Sequence, residues 1–267
     1  MNKEEELLAK RISELARIAD LKCCVTFTDF LNLNEQNILH QTARKLSWVK
    51  TETFGGYEGA ERQIAAFVPD ALSYLMESDA QEESACARAG RLGCPIACVQ
   101  IRPVNAKFAE ALTHRDILGA LMHLGIERCK LGDIALCGEV FYLFCQERLA
   151  GVIAEDLTQI RHTQVHCAVC DLQDFVYTPR TKELAGSVAS VRLDSVMAIA
   201  FGSSRSSLLS LIESGKVFVN GKLITTNAYS LKEGDLVSVR GEGKFRYGGE
   251  VGQTKKGRRM VKVEKYS

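Results

Sequence analysis

The residues best suited to chemistry in this chain lie between Arg192 and Gly241, in the stretch RLDSVMAIAFGSSRSSLLSLIESGKVFVNGKLITTNAYSLKEGDLVSVRG. This stretch combines Ser and Arg in GSSRSS with Lys near both ends of GKVFVNGK. Hydroxyl groups, free amides at a helix start and cationic side chains are groups that bind phosphate. The stretch contains no evident pair of nucleophile and base, so it favours binding of RNA over conversion of a metabolite.

Two short helices are needed to position the first of these residues. Arg192 is predicted to open the first helix. Ser204, Arg205 and Ser207 are predicted at the turn into the second, where serines cap the helix and free amides attract phosphate. Gly215 is predicted to end the second helix in a left-handed conformation.

A β-hairpin is needed to position the two lysines. Lys216 precedes the apolar run Val-Phe-Val, and Asn220-Gly221 is a strong signal for a tight hairpin turn. Lys222 leaves that turn on the other side, and Gly234-Asp235 turns the chain again before a further strand. The pattern therefore predicts a compact basic module of two helices and a small sheet.

The near-zero net charge of +1 hides an uneven distribution along the chain. From Arg180 to Ser267 there are 16 Lys+Arg and 8 Asp+Glu, a net charge of +8. Met1 to Pro179 has 18 Lys+Arg and 25 Asp+Glu, a net charge of −7. We therefore expect contact with a polyanion to be concentrated in the C-terminal third.

The stretch from Arg192 to Gly241 resembles the RNA-binding domain first named for ribosomal small-subunit protein four, here the S-four domain. The resemblance lies, in order, in Arg-Leu-Asp, Ser-Arg-Ser, Ile-Glu-Ser-Gly-Lys-Val-Phe-Val-Asn-Gly-Lys and Gly-Asp-Leu-Val. The resemblance implies an RNA face formed by Arg192, Ser204, Arg205, Ser207, Lys216 and Lys222. Further candidate RNA-binding residues are Arg240, Lys244, Arg246, Lys255, Lys256, Arg258 and Arg259. Asp194 is expected to cap or pair within the fold.

The remaining chain predicts an α+β protein in several parts. Residues 1–46 form a helical N-terminal region, and residues 47–176 form an α+β middle domain whose strands are covered by two helices on one face, as in RNA-recognition folds. Within the middle domain, WVKTETF and RQIAAFVP predict a hairpin around GGYEG, and THRDILGALMHLGI predicts a helix capped by Thr113. Arg115, on the polar face of that helix, is a candidate RNA contact.

The C-terminal part is divided by composition. Residues 177–190, YTPRTKELAGSVAS, have a proline, small residues and no apolar period, which predicts a linker. The small S-four domain is predicted over 191–243 and a basic tail over 244–267, with the alternating MVKVEKY as an edge strand.

The ten cysteines raise the questions of a disulfide framework and of a metal site. Most lie in apolar runs such as IALCGEVFYLFCQ, where Cys acts as a small buried hydrophobe. His162, His166, Cys167 and Cys170 offer the four ligands of a zinc site, but strand alternation sends His166 and Cys167 to opposite faces. We therefore expect a buried strand, reduced thiols and no metal or cofactor.

The sequence does not predict membrane insertion or secretion. No run of apolar residues approaches the roughly 18–20 needed to cross a bilayer. The N-terminal MNKEEELLAKRISELARIAD has no apolar core of a signal peptide and predicts an amphipathic helix. We expect a cytoplasmic monomer.

The whole chain resembles the bacterial YlmH family in FTDFLNLNEQNIL, GGYEGAERQIAAFVPD, THRDILGALMHLGIERCKLGDI, the S-four domain and the basic tail. The resemblance implies a cytosolic, non-catalytic protein that binds structured ribosomal RNA, with ribosome-bound transfer RNA as a further partner. It also implies association with the large ribosomal subunit and a part in rescue or quality control of stalled translation.

Two alternatives stay open. Arg192-Leu193-Asp194 is similar to the catalytic triplet of pseudouridine synthases, although Ser-Val-Met-Ala follows it here in place of the Thr-Ser/Thr-Gly run of those enzymes. An RNA-modifying enzyme is therefore one alternative. The other is an adaptor whose acidic N-terminal body binds a protein partner.

Overall fold

A computed structural model describes residues 3–77, 85–105, 107, 109–172, 175, 181–255 and 257–266. The chain forms two compact units, Met1–Tyr177 and Thr178–Ser267. Among the described residues, no single helix is long and apolar enough to cross a bilayer, and only α6 and α7 (residues 193–201 and 205–213), bent by 118° to each other, reach that length together.

The first unit mixes helices and strands. Its α-helices are α1 (Lys3–Lys22), α2 (Leu33–Ala43), α3 (Ala85–Arg91), α4 (His114–His123) and α5 (Glu147–Asp156). Its strands are β1 (Thr26–Phe27), β2 (Val49–Phe54), β3 (Ile64–Pro69), β4 (Ile96–Pro103), β5 (Leu131–Cys137), β6 (Val140–Gln146), β7 (Gln159–Ile160) and β8 (Thr163–Cys170). Short 3-10 helices span Asp70–Met76 and Arg128–Lys130.

The N-terminal helices form because of their apolar periodicity and a strong cap. Helix α1 buries Ile12 and Leu15 on one side, as predicted. Helix α2 begins at Asn32, whose side chain accepts from the backbone amide of Glu35 at 3.1 Å, while the Glu35 carboxylate accepts from the Asn32 amide at 2.7 Å. Both helices share a core with Phe67 of the three-stranded sheet β1-β3-β2, so the helical region packs on the hairpin that follows it.

The predicted hairpin around GGYEG is present, with β2 and β3 paired antiparallel from Val49 opposite Pro69 to Phe54 opposite Ile64. The turn between them does more than reverse the chain. Gly56 has a φ of 103°, and a Cβ at this position would clash with the ring of Phe144. The loop therefore packs closely on the second sheet of the unit, which only glycine allows here.

The second sheet of the first unit has five antiparallel strands in the order β5-β6-β4-β8-β7. Helices α4 and α5 cover one face, where Ile117 and Ile153 pack with Val99 and Leu143. The prediction of strands covered by two helices on one face is confirmed.

Helix α4 starts at Thr113, as the sequence predicts, and buries few of its apolar side chains. The Thr113 hydroxyl caps the Asp116 amide, and the Asp116 carboxylate accepts from the Thr113 hydroxyl at 2.6 Å. These hydrogen bonds lower the pKa of Asp116. Ile117 and Leu121 are buried on this helix, whereas Met122 and Leu124 are 47% and 39% exposed.

The second unit is one six-stranded sheet, in the order β11-β10-β12-β13-β14-β9, with two helices packed on it. Its helices are α6 (Leu193–Phe201) and α7 (Arg205–Glu213). Its strands are β9 (Thr181–Val188), β10 (Val217–Val219), β11 (Lys222–Leu223), β12 (Leu236–Val239), β13 (Gly243–Gln253) and β14 (Arg259–Tyr266).

Two boundaries predicted from the sequence are corrected by this sheet. The predicted linker 177–190 is wrong for Thr181–Val188, because these residues pair with β14 along their whole length. The alternating end of the tail forms a strand, but β14 lies inside the sheet between β13 and β9, with Val261 and Val263 fully buried. Residues 177–180 of the predicted linker lie outside the described part of the chain.

Candidate nucleic-acid interface

The basic hairpin of the second unit has the turn that the sequence predicts. Asn220 and Gly221 both have positive φ, at 48° and 73°, as a type I′ turn requires. The Asn220 side chain donates to the Asp235 carboxylate at 2.8 Å and accepts from the Leu236 amide at 2.9 Å. These bonds fix the turn, so Lys216, which is exposed just before β10, has a defined position.

Lys222, the second lysine of the hairpin, is half-buried in β11 opposite Val219. Since Val219 points into the core below α6 and α7, Lys222 lies on the helix side of the sheet. The hairpin thus presents its two lysines in different environments.

Arg192 and Asp194 form an ion pair at the start of α6. The Arg192 Nε lies 3.2 Å from the Asp194 carboxylate, and the Ser195 hydroxyl donates to the same carboxylate at 3.3 Å. The Asp194 side chain is 7% exposed whereas that of Arg192 is 39% exposed. Asp194 therefore pairs within the fold, as predicted, and holds the Arg192 guanidinium at the surface.

The serine-rich turn caps α7. Ser204 is the N-cap, and its hydroxyl accepts from the Ser207 amide at 3.3 Å. The Ser207 hydroxyl in turn donates to the Ser204 carbonyl at 2.8 Å, and both residues are exposed. The exposed start of α7 carries the positive end of the helix dipole, which favours a phosphate group. The side chain of Arg205 lies outside the described part of the chain.

A second group of cations lies on the sheet face that points away from α6 and α7, here the far face. Strand register puts Phe218, Ser238 and Lys244 side by side on this face. The Arg240 guanidinium lies 5.2 Å from the centre of the Phe218 ring, and its amide donates to the Lys216 carbonyl at 3.0 Å. Cation–π contacts of this kind keep the charged group at the surface above an apolar ring.

Tyr266 organises the remaining cations of the far face. The Lys244 ammonium lies 5.0 Å from the centre of its ring, and the Arg246 Nε donates to its hydroxyl at 3.4 Å. This arrangement could not be predicted from the sequence, because Tyr266 reaches Lys244 only through the register of β13 with β14.

The last candidates lie at the other end of the β13–β14 hairpin. Arg258 donates to the Ser187 carbonyl at 2.8 Å, and Arg259 pairs with Glu250 at 2.9 Å. Lys255 is exposed beside them, and Lys256 lies outside the described residues. A strand rises about 3.4 Å per residue, so this turn is roughly 25–30 Å from Lys244 at the start of β13. The structure therefore divides the predicted set into separate groups.

The histidines and cysteines of β8 do not converge. His166 is exposed, whereas Cys167 is buried and its thiol donates to the Leu157 carbonyl at 3.2 Å. Within the described ranges, no group of three or more His, Cys, Asp or Glu side chains is arranged to bind a metal ion. Burial raises the pKa of Cys167 to about 11 and that of Cys145 to about 12, so these thiols stay protonated and unreactive.

Arg115 is exposed on α4 in the first unit. Sequence reasoning missed a different group in the same domain, Gln100, Arg102, Tyr142 and His166, which strand register brings together on the sheet face opposite α4. The alternation of apolar and polar residues in CVQIRPV indicates a strand with Gln100 and Arg102 on one face, but it does not show which strands pair with it.

Two family models match the chain. "Putative RNA-binding domain in YlmH" matches residues 95–174, which contain the five-stranded sheet with α4 and α5. The S4 domain, the S-four domain of the sequence analysis, matches residues 191–237, from the start of α6 to β12. The two matched domains support an RNA-binding role.

Two known proteins are similar to much of the chain. "Ribosome-associated protein quality control protein P2" of Bacillus subtilis (strain 168) is 30% identical over 267 residues, which cover 98% of this chain and 96% of the relative. A solved structure of "Cell division protein ylmH from Streptococcus pneumoniae" is 20% identical with a TM-score of 0.49, and the match covers 66% of this chain and 97% of that chain.

Proposed function

The chain belongs to the YlmH family, and on this premise we propose that it is a non-catalytic protein that binds ribosomal RNA on the large ribosomal subunit. Its role is to assist rescue or quality control of stalled translation, in the cytoplasm and as a monomer. The B. subtilis relative, named as a ribosome-associated quality control protein, supports this role because it matches nearly the full chain.

The observation that carries the proposal is the group of ordered cations on the hairpin and far face of the second unit, to which the exposed start of α7 adds a separate phosphate-binding feature on the helix side of the sheet. Lys216, Arg240, Lys244 and Arg246 are positioned by the hairpin and the far face, and Ser204 and Ser207 expose the start of α7. Such groups recognise the phosphates and shape of structured RNA more than base sequence. Structured ribosomal RNA is therefore the expected partner, with ribosome-bound transfer RNA as a second.

Sedimentation tests this proposal directly. A cell lysate is separated on sucrose gradients at low and high salt, and the protein is detected across the fractions. We expect migration with large subunits at low salt and loss of it at high salt, because phosphate contacts release counterions. Protein that stays at the top of the low-salt gradient would contradict ribosome association.

A double substitution tests the surface. Lys216→Gln with Arg240→Gln should weaken binding to ribosomal RNA, because both residues are exposed at the same end of β10 and β12. The matched control is Lys10→Gln with Lys22→Gln, which makes the same change in net charge on α1 of the first unit. Equal affinities of the two double variants in a filter-binding assay would contradict the assignment of Lys216 and Arg240 to the RNA-binding surface.

The buried position of Asp194 supports a non-catalytic role. A pseudouridine synthase needs an aspartate that can reach a base, whereas this carboxylate is paired with Arg192 and Ser195 at the start of α6. Mass spectrometry of cellular RNA with and without the protein tests the point. A modification lost together with the protein would favour the enzyme.

A further inference from the structure

One sheet face of the first unit is only partly covered by the rest of that unit. Along β4, Val99 and Ile101 point into the core below α4 and α5, so Cys98, Gln100 and Arg102 point to the opposite face. Cys98 lies at the covered end, where it packs in a cluster that includes Phe30. Arg102, four residues along the same strand, is exposed.

The uncovered end carries four side chains with planar polar groups, Gln100, Arg102, Tyr142 and His166, here the open face. Gln100 lies opposite Tyr142 on β6, and Arg102 lies opposite His166 on β8. The Gln100 amide donates to the Tyr142 hydroxyl at 2.9 Å, and the Arg102 guanidinium donates to the Gln100 carbonyl oxygen. Three of the four side chains are thus ordered by hydrogen bonds to each other before any ligand binds, and His166 lies opposite Arg102 on the neighbouring strand.

The exposure of the open face leaves room for a flat ligand. Arg102 and His166 are exposed, and Gln100 and Tyr142 are half-buried. Gln100 lies between Tyr142 of β6 and Ala168 of β8. Because the Ala168 side chain is small, it does not protrude beside Gln100. The Tyr142 ring rests on Phe175, with ring centres 4.8 Å apart, which supports the ring from one side.

These residue types suit RNA bases. Guanidinium, imidazole and phenol groups all stack on base faces, and the amide and guanidinium also offer hydrogen bonds to base edges. Lys107, exposed beyond the end of β4, adds a cation near Arg102 in sequence. We propose that the open face binds unpaired bases of single-stranded RNA, as a second RNA site distinct from the second unit. This inference rests on the proposed RNA-binding function.

The surface chemistry favours RNA over a protein partner. Val169, a large apolar residue of β8 that is 53% exposed, pairs with Val99 and so lies on the helix-covered side of the sheet. The open face carries a guanidinium group and planar polar groups, which can pair with phosphate and stack on bases. The inference also moves the expected RNA contact of this domain from Arg115 on α4 to the opposite side of the sheet.

Photo-crosslinking and affinity measurements with the full chain test the proposal. The probe is a short, labelled oligouridylate that contains thiouridine. We expect crosslinks to peptides from β4, β6 or β8, and an affinity that falls about tenfold in Arg102→Gln with His166→Gln, since losing stacking contacts costs that order of binding. The matched control is Arg17→Gln with His123→Gln, which changes the same residue types at exposed positions of α1 and α4 and should bind like the unaltered chain.

A third variant tests whether the ring of Tyr142 or its hydroxyl contributes to RNA binding. Tyr142→Phe keeps the ring but removes the hydroxyl that accepts from Gln100. We expect its affinity to stay within about twofold of the unaltered chain, because stacking needs only the π-face. Thermal melts of all variants check that a loss of affinity does not come from unfolding.

The outcomes distinguish this inference from the proposed function. If the unaltered chain binds neither ribosomal RNA nor the oligouridylate, the proposed function fails. If ribosomal RNA binds but Arg102→Gln with His166→Gln changes nothing, and crosslinks fall only in the second unit, the open face is not an RNA site. Unchanged RNA affinity together with loss of a co-purifying protein would assign the face to a protein partner and overturn the inference.

Discussion

At the scale of single residues, Asn220 shapes the basic hairpin through both its backbone and its side chain. Its left-handed backbone is one that Asn adopts more readily than most residues. Its side chain links the hairpin turn to Asp235 and Leu236 of the next turn. The Asn220 side chain therefore ties the turn of the basic hairpin to the start of β12.

Asn220→Ala should lower the free energy of unfolding by about 1–3 kcal/mol, because two hydrogen bonds are lost and the buried Asp235 carboxylate loses a donor. Urea denaturation of the full chain measures this. Thr225→Ala, at an exposed position of the following loop, is the control and should change stability little. Equal midpoints for the two variants would contradict the role given to Asn220.

The far-face cations should be visible in the salt dependence of RNA binding. Lys244→Gln with Arg246→Gln should reduce the slope of log K against log salt by about 1.4–1.8, because each phosphate contact contributes about 0.7–0.9. Arg259→Gln with Lys262→Gln removes the same charge from residues that are paired with Glu250 and Glu183. We expect a smaller change in slope for this control, and the reverse order would show that the far face is not the contact surface.

Local features of the site could be predicted from the sequence, whereas contacts across strands could not. The Asn-Gly turn and the Thr113 cap follow from neighbouring residues alone. The contact of Tyr266 with Lys244, and the position of His166 opposite Arg102, depend on the register of strands that lie apart in sequence. Periodicity gives the face of a residue but not its partner on the next strand.

At the scale of elements, the loop between β2 and β3 joins the two sheets of the first unit. Asp133 of β5 accepts hydrogen bonds from the Tyr57 hydroxyl at 2.8 Å and from the Glu61 amide at 2.7 Å. The Arg62 side chain donates to the Leu131 carbonyl at 2.9 Å, and its burial lowers its pKa. The sequence predicted the turn, but not that the loop ties the hairpin to the five-stranded sheet.

Gly56→Ala should destabilise the first unit by about 2–4 kcal/mol, since the added methyl group would overlap the Phe144 ring and the backbone φ is positive. Thermal denaturation of the full chain measures the change. Gly119→Ala, at an open position on α4, is the control and should stabilise by about 0.5–1 kcal/mol. An unchanged melting temperature for Gly56→Ala would show that the loop is not packed as described.

Strand β9 shows why some elements escape sequence analysis. Most of its residues are exposed or half-buried, and Val188 is its one fully buried residue, so TKELAGSV has little of the alternation that marks a strand. Its conformation is imposed by the ladder with β14. Strand β14 has strong alternation and was predicted, but as an edge strand because its partner β9 was not recognised.

At the scale of the whole molecule, an acidic unit and a basic unit follow each other along the chain. Their opposite net charges and the α+β class could be read from composition and pattern. The true start of the second unit could not, because β9 precedes the matched S-four domain and pairs with the last strand.

This arrangement predicts how fragments behave. Residues 178–267 should form a stable monomer, whereas residues 190–267 lack β9 and should expose the edge of β14. An unpaired edge strand promotes association and loss of stability. Size-exclusion chromatography and thermal melts of the two fragments test this, and identical behaviour would mean that β9 adds nothing to the unit.

The pairing of Tyr266 with Thr181 means that the second unit starts and stops at one point on its surface. Neighbouring antiparallel strands can be joined by a tight turn of two residues. A short turn could therefore join the end of β14 to the start of β9, and the chain could then be opened at another loop. A version re-joined there and opened elsewhere, for example in the exposed loop at Thr225–Thr226, keeps every strand pairing described above.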